Sequence, residues 1–178
     1  MTTEFTTVHI SDTARAELLL EGDAWADELG SLRGSIEDGD GNAAGRFGEL
    51  LFTELFGGCI KDRYDYDVWY NGLEIDVKTK RRTVAPKPHY EASIADWNPE
   101  QDCDLYYFIS LLGSDADNPF SKAWLCGYLP PAEYHKQATF HEEGEKDPDN
   151  GFIFQADCHN LPYSELTRYD NIQSEVTL

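Results

Sequence analysis

The chain is short of positive charge. Its 178 residues hold 14 Lys and Arg against 34 Asp and Glu, a formal net charge of −20. That balance excludes a generally basic nucleic-acid coat and predicts repulsion of polyanions over most of the surface. Paired cysteines are also missing. Cys59, Cys103, Cys126 and Cys158 are scattered with no Cys-x-x-Cys, so neither a zinc ribbon nor a disulfide framework is indicated, and buried free thiols are expected. His9, His89, His135, His141 and His159 form no His-x-x-x-His pair; His89 and His159 are cleft candidates, with surface or capping roles the plainer reading. No apolar run reaches the roughly 20 residues of a membrane helix, and Met1-Thr-Thr-Glu lacks the basic start and apolar stretch of a secretory signal. The expectation is one soluble cytoplasmic domain over residues 1–178, without membrane contact and with a single substantial core.

What is present is a hairpin with chemistry on it. Asp67-Val-Trp-Tyr-Asn71-Gly72-Leu-Glu-Ile-Asp76-Val-Lys78 carries Asn-Gly, whose two residues tolerate the positive φ that both centres of a type I′ turn demand. A two-residue turn pairs Tyr70 with Leu73, Trp69 with Glu74, Val68 with Ile75, Asp67 with Asp76, and Tyr66 with Val77. Alternation then puts Asp65, Asp67, Glu74, Asp76 and Lys78 on one face with Trp69, and Val68, Tyr70, Leu73, Ile75 and Val77 on the other. Two carboxylates directly opposite destabilise a hairpin by roughly 0.2–1 kcal/mol unless a cation lies between them. Hard oxygen ligands select Mg²⁺, Mn²⁺ or Ca²⁺ over zinc, and a Mg²⁺ site uses one or two carboxylates plus water and substrate phosphate. Lys78, on the same face, is placed to orient a water and offset charge on phosphorus. The plain alternative is a solvated charged hairpin.

Asp, hairpin, then Asp/Glu-x-Lys resembles the signature of the PD-(D/E)xK nuclease superfamily, here Asp67, eight intervening residues, then Asp76-Val77-Lys78, with Tyr66 where the proline usually stands. Such proteins carry an acidic residue on the preceding helix, and Gly45-Arg-Phe-Gly-Glu49-Leu-Leu-Phe-Thr-Glu-Leu-Phe56 looks like that helix. Phe47, Leu50, Leu51, Leu55 and Phe56 form its core stripe, Glu49 lies at the stripe's edge, and Glu54 is the alternative. Asp104–Ser110 and Ala123–Leu129 stand where the third and fourth strands belong; the latter resembles the tryptophan, glycine, aromatic strand of small phage-type members. The resemblance spans about residues 43–131. It implies an α/β restriction-endonuclease-like core, a central mixed sheet flanked by helices. It further implies a Mg²⁺-dependent DNA endonuclease in a bacterial or phage-infected cell, with Mn²⁺ as a substitute. Glu49, Asp67 and Asp76 would then be catalytic metal ligands together with the Val77 carbonyl, Lys78 would position the attacking water, and a homodimer would cut both strands. RNA and four-way junctions stay open as substrates.

The basic residues are concentrated. Seven of the 14 (Lys61, Arg63, Lys78, Lys80, Arg81, Arg82, Lys87) fall between Lys61 and Tyr90 against five acidic residues, a local net of +2. Lys80, Arg81, Arg82 and Lys87 are therefore candidate DNA-phosphate contacts, with a solvated charge run as the alternative.

Around this core, Ala14–Leu29 reads as an acidic amphipathic helix started at Ser11-Asp12, with Leu18, Leu19 and Trp25 inward. Residues 1–42 would be helix and loop, 43–131 the catalytic core, and 132–178 an elaboration: a short helix Ala132–Phe140, a charged loop Glu142–Asn150, a last strand Phe152–Ala156 and a helical turn near Leu161–Leu166. Two rivals remain. Asp38, Asp40, Asn42 and Glu49 have EF-hand-like spacing, but Ala43 stands where that loop needs glycine. A non-enzymatic acidic DNA mimic fits the net charge; it gains nothing from four basic residues in the five from Lys78 to Arg82.

Overall fold

The computed structural model describes residues 5–29, 40–61, 63, 65–96, 102–113, 119–148, 151–168 and 175–178. Its centre is β6, Leu105–Leu112, nearly every residue of which is apolar because the strand is covered on both faces. Tyr107, Ile109 and Leu111 look one way, and Tyr106, Phe108 and Ser110 the other. On one side β6 pairs in parallel with β4 (Leu73–Arg82), and on the other antiparallel with β7 (Lys122–Leu129). β3 (Val68–Tyr70) and β2 (Cys59–Ile60) continue the sheet beyond β4; β1 (Thr6–His9) and β10 (Glu175–Thr177) continue it beyond β7. The result is a mixed seven-stranded sheet in the order β10-β1-β7-β6-β4-β3-β2. Its outer strands β1 and β10 come from beyond residues 43–131, so the sheet is larger than the span of the family resemblance.

Two helices cover one face. α1, Asp12–Leu29, starts as its sequence predicts, with the Ser11 Oγ accepting the Ala14 amide at 3.2 Å. α2, Asp40–Phe56, begins five residues before Gly45. Asp40–Asn42 thus lie in a helical turn instead of a calcium loop, while Asp38 falls outside the described residues. Phe47, Leu50, Leu51 and Phe52 of α2 pack with Val68, Ile75, Val77, Tyr107, Ile109 and Leu111 into one core, and Leu18 of α1 joins them. Trp25's side chain lies outside the description. α2 sits close to β4 because residue 48 is glycine: a Cβ there would collide with the Thr79 side chain.

The opposite face is covered by an antiparallel second sheet, β5-β9-β8, made of Glu91–Ala95, Cys158–Pro162 and Thr139–His141, and by α3, Pro131–Gln137. Tyr106, Phe108, Trp124 and Cys126 meet Ala92, Ile94, Leu161 and Tyr134 in a second core. The Tyr134 hydroxyl donates within reach of Ala92 O (3.0 Å) and His159 O (2.7 Å), tying α3 to this sheet. Several expectations are corrected here. The short helix stops at Gln137, and Thr139–His141 is a strand. Phe152–Ala156 makes only an isolated bridge, Ile153 to Lys146, with Phe152 and Ile153 exposed; the strand is Cys158–Pro162. Leu161–Leu166 contributes a 3-10 turn, Tyr163–Glu165. Among the described residues no helix is long and apolar enough to cross a membrane.

Candidate active site

The turn forms as its residues require, with φ of 51° at Asn71 and 85° at Gly72. The predicted register holds for Tyr70–Leu73, Trp69–Glu74 and Val68–Ile75. It then breaks. The Asp67 amide donates to Ile75 O at 3.0 Å, so Asp67 and Val68 both address Ile75 across the ladder, as in a β-bulge. The expected pairs Asp67–Asp76 and Tyr66–Val77 do not form. Asp67 instead turns its side chain into the gap: its Oδ2 accepts the Val77 amide at 2.8 Å. A carboxylate oxygen stands in for the missing strand carbonyl and satisfies an N–H that β3 leaves behind.

This places Asp67 beside Asp76, not squarely opposite it. Asp76 is 2% exposed. Burial, then the Asp76 and Glu49 charges, hold the Asp67 carboxyl well above the usual carboxylate range, and a hydrogen bond to Asp76 strengthens its hold on the proton. Asp76 Oδ2 lies 2.6 Å from Lys78 Nζ in a buried ion pair. Burial alone would lower the Lys78 ammonium; Asp76 and, farther off, Asp67 outweigh it and leave it raised. Lys78 is therefore held as an ammonium cation.

Glu49 is buried on α2 with its Oε2 2.9 Å from Arg46 Nη1. Its charge is felt at Asp67, yet among the described residues no three His, Cys, Asp or Glu side chains come together as a metal-holding group. Glu49 is held by an arginine one helical turn earlier, and its charge bears on Asp67 beside the Asp67–Asp76 pair. Glu54, the alternative, is exposed. The donors present still suit a hard divalent cation: two adjacent carboxylates and the Val77 carbonyl on the strand edge where β3 has ended.

Two neighbours were not singled out by the sequence. Tyr106 stands level with Asp76 in the parallel β4–β6 register, and Lys78 Nζ lies 5.9 Å from its ring centre. The Cys103 thiol lies beside the Asp76 backbone and is pushed up to about 12 by burial and by the Asp76 charge. The β4–β6 register reveals Tyr106, and Cys103 lies just before β6. Arg46 had a readable signal, an arginine three residues before Glu49 on one helix.

The basic run divides. Lys80, Arg81 and Lys87 are exposed, with Lys80 Nζ donating to Ser93 Oγ at 3.2 Å. Arg82 turns inward. It donates to Tyr163 Oη (3.0 Å), Glu91 O (3.2 Å) and Ser110 Oγ (3.3 Å), and its guanidinium lies 4.9 Å from the Tyr90 ring centre. It joins the two sheets. An open depression of about 430 Å³ lined by Arg81, Arg82, Thr83, Val84, Tyr90 and Gly113 lies six residues along β4 from Asp76, roughly 20 Å at strand rise, and so is separate from the carboxylates. His159 packs its ring against His135 at 4.7 Å, away from any cleft role, and His89 is exposed.

No protein-family model matches the chain, and no curated protein is significantly similar to it.

Proposed function

We propose that this protein is a Mg²⁺-dependent deoxyribonuclease with a restriction-endonuclease-like core, hydrolysing internal phosphodiester bonds of DNA. The observation that carries the reading is the buried Asp67–Asp76 pair with Lys78 beside it, at the point where β3 leaves β4. Burial and neighbouring negative charge both oppose ionisation of Asp67, a cost to the fold; a divalent cation would turn that cost into a binding site. Asp67, Asp76 and the Val77 carbonyl would hold the ion, and Glu49 would bear on it at a distance. When bound, the ion polarises the scissile phosphate and acidifies a water. Lys78, kept cationic by Asp76, orients that water and offsets charge on the phosphoryl oxygens. Lys80, Arg81 and Lys87 bear on the backbone of the DNA, and Arg82 holds β4 in place beneath them.

The test is incubation of supercoiled, linear, single-stranded and four-way DNA, and of RNA, with Mg²⁺, Mn²⁺ or chelator. Metal-dependent cleavage abolished by Asp76→Ala supports the reading; the absence of cleavage on every substrate overturns it. The net charge of −20 favours one other reading, an acidic DNA mimic, which would inhibit a nucleic-acid-binding partner stoichiometrically and without metal.

A further inference from the structure

The edge of the main sheet nearest the carboxylates carries an aromatic and a cation, with a second exposed cation two residues on, none of which the proposed site uses. Trp69 is 44% exposed on a hairpin closed by the Asn71-Gly72 turn. It pairs with Glu74 on β4 and with Cys59 on β2. Since Glu74, Asp76 and Lys78 alternate to one face of β4, Trp69 shares that face and stands one diagonal from Asp76, about 7–8 Å between backbone positions. The Lys61 amide donates to Asp67 O at 2.8 Å, which extends the β2–β3 ladder by one residue. Lys61 is two residues from Cys59 and so falls on the Trp69 face; Lys61 and Arg63 are both exposed.

We infer that this edge is a binding track for single-stranded DNA, with Trp69 stacking on a base next to the scissile phosphate and Lys61 and Arg63 taking the flanking backbone. The inference rests on the nuclease reading for its scissile phosphate, and names its substrate as an unpaired strand. An aromatic face with adjacent cations is what single-strand binding uses, because every base offers a π surface while phosphates need charge. A base in a duplex is already stacked on both sides and offers Trp69 only an edge. Charge sets the path. Glu74, across from Trp69, repels phosphate, while Lys61 on the β2 side attracts it. A large indole held on a rigid hairpin also loses little side-chain freedom on stacking.

The experiment is fluorescence anisotropy of labelled oligothymidine and of a blunt duplex of equal length, in EDTA at low salt, so that binding is read without cleavage. Trp69→Ala is expected to weaken oligothymidine binding about tenfold or more with duplex binding unchanged, and Trp69→Phe to recover most of the loss. Lys61→Ala with Arg63→Ala should flatten the salt dependence by about two phosphate contacts. Equal losses on both DNAs, or none, overturn the inference. Its failure is distinguishable from failure of the nuclease reading. A protein that cleaves with Mg²⁺ but ignores Trp69→Ala refutes the strand track alone, whereas one that binds oligothymidine through Trp69 and cleaves nothing refutes the nuclease alone.

Discussion

Replacing Asp67 with asparagine isolates the cost of the buried acid pair. In the native protein the Asp67 carboxyl keeps its proton well above the usual carboxylate range, because burial, Asp76 and Glu49 all oppose its ionisation. In the unfolded chain the same group ionises near 3.9. Between that value and the raised native one, the folded state holds a proton that the unfolded state has released, so folding stability falls as pH rises. The contribution is fully present below the unfolded value and lost by the native one, at about 1.4 kcal/mol for every pH unit between them. The asparagine would keep both contacts, its carbonyl accepting the Val77 amide and its NH₂ donating to Asp76, without a titrating proton. For a chain of this size about 1 kcal/mol moves Tm by about 2–4 °C. Asp67→Asn in EDTA is therefore expected to melt at least that much above wild type at pH 7.5, with the gap closing as pH falls toward 4. Paired thermal melts across that range measure it, and taking the difference cancels the general self-repulsion of a chain with net charge −20. A gap independent of pH, or a variant less stable than wild type at pH 7.5, would refute the raised Asp67 carboxyl. Mg²⁺ should reverse the order, since at a hundred times its Kd an ion that binds only the native site adds about 2.7 kcal/mol to wild type and little to the asparagine variant.

Other perturbations separate roles along β4. Asp76→Ala or Lys78→Ala should each lower cleavage at least about a hundredfold with far-ultraviolet circular dichroism unchanged; full activity in either overturns its assignment. Arg82→Ala should cost about 2–4 kcal/mol, because it removes charged hydrogen bonds to Tyr163, Glu91 and Ser110 at once. Arg81→Ala should stay within about 0.5 kcal/mol while weakening DNA binding, and urea melts of both would tell the joint from the phosphate contact. Gly48→Ala should destabilise by about 1–3 kcal/mol by driving α2 off Thr79, with Thr79→Ala in the same chain recovering part of the loss.

The turn was legible because its determinants are local: Asn71-Gly72 dictates both backbone sign and register for the first three pairs. The bulge was not. Alternation assumes that both strands continue, and it cannot see that Val77's amide is better served by a carboxylate oxygen than by a strand that would oppose two like charges. The faces of β4 and the core stripe of α2 were readable from periodicity, as was the mixed α/β character. The second sheet was hidden because its strands are three to five residues long and the first of them finds its partner only far along the chain. Phe152–Ala156 was misleading for the opposite reason: an apolar run marks a strand only if something covers it. Arg82 looked like its neighbours in the basic run, and only its contact with Tyr163, distant in the chain, shows that it faces inward.

Asp67 ties off the frayed border of a sheet with the same side chain that, in the proposed site, would offer oxygen to an ion. Lengthening it to glutamate would leave no arm that reaches both, since one added methylene shifts the headgroup by more than the tolerance of either contact. If the proposed site is right, selection for sharper catalysis and selection for a sturdier sheet would act on the same side chain. Any variant that moves this headgroup trades one duty against the other, which makes residue 67 the position where activity and folding of this protein are hardest to improve together.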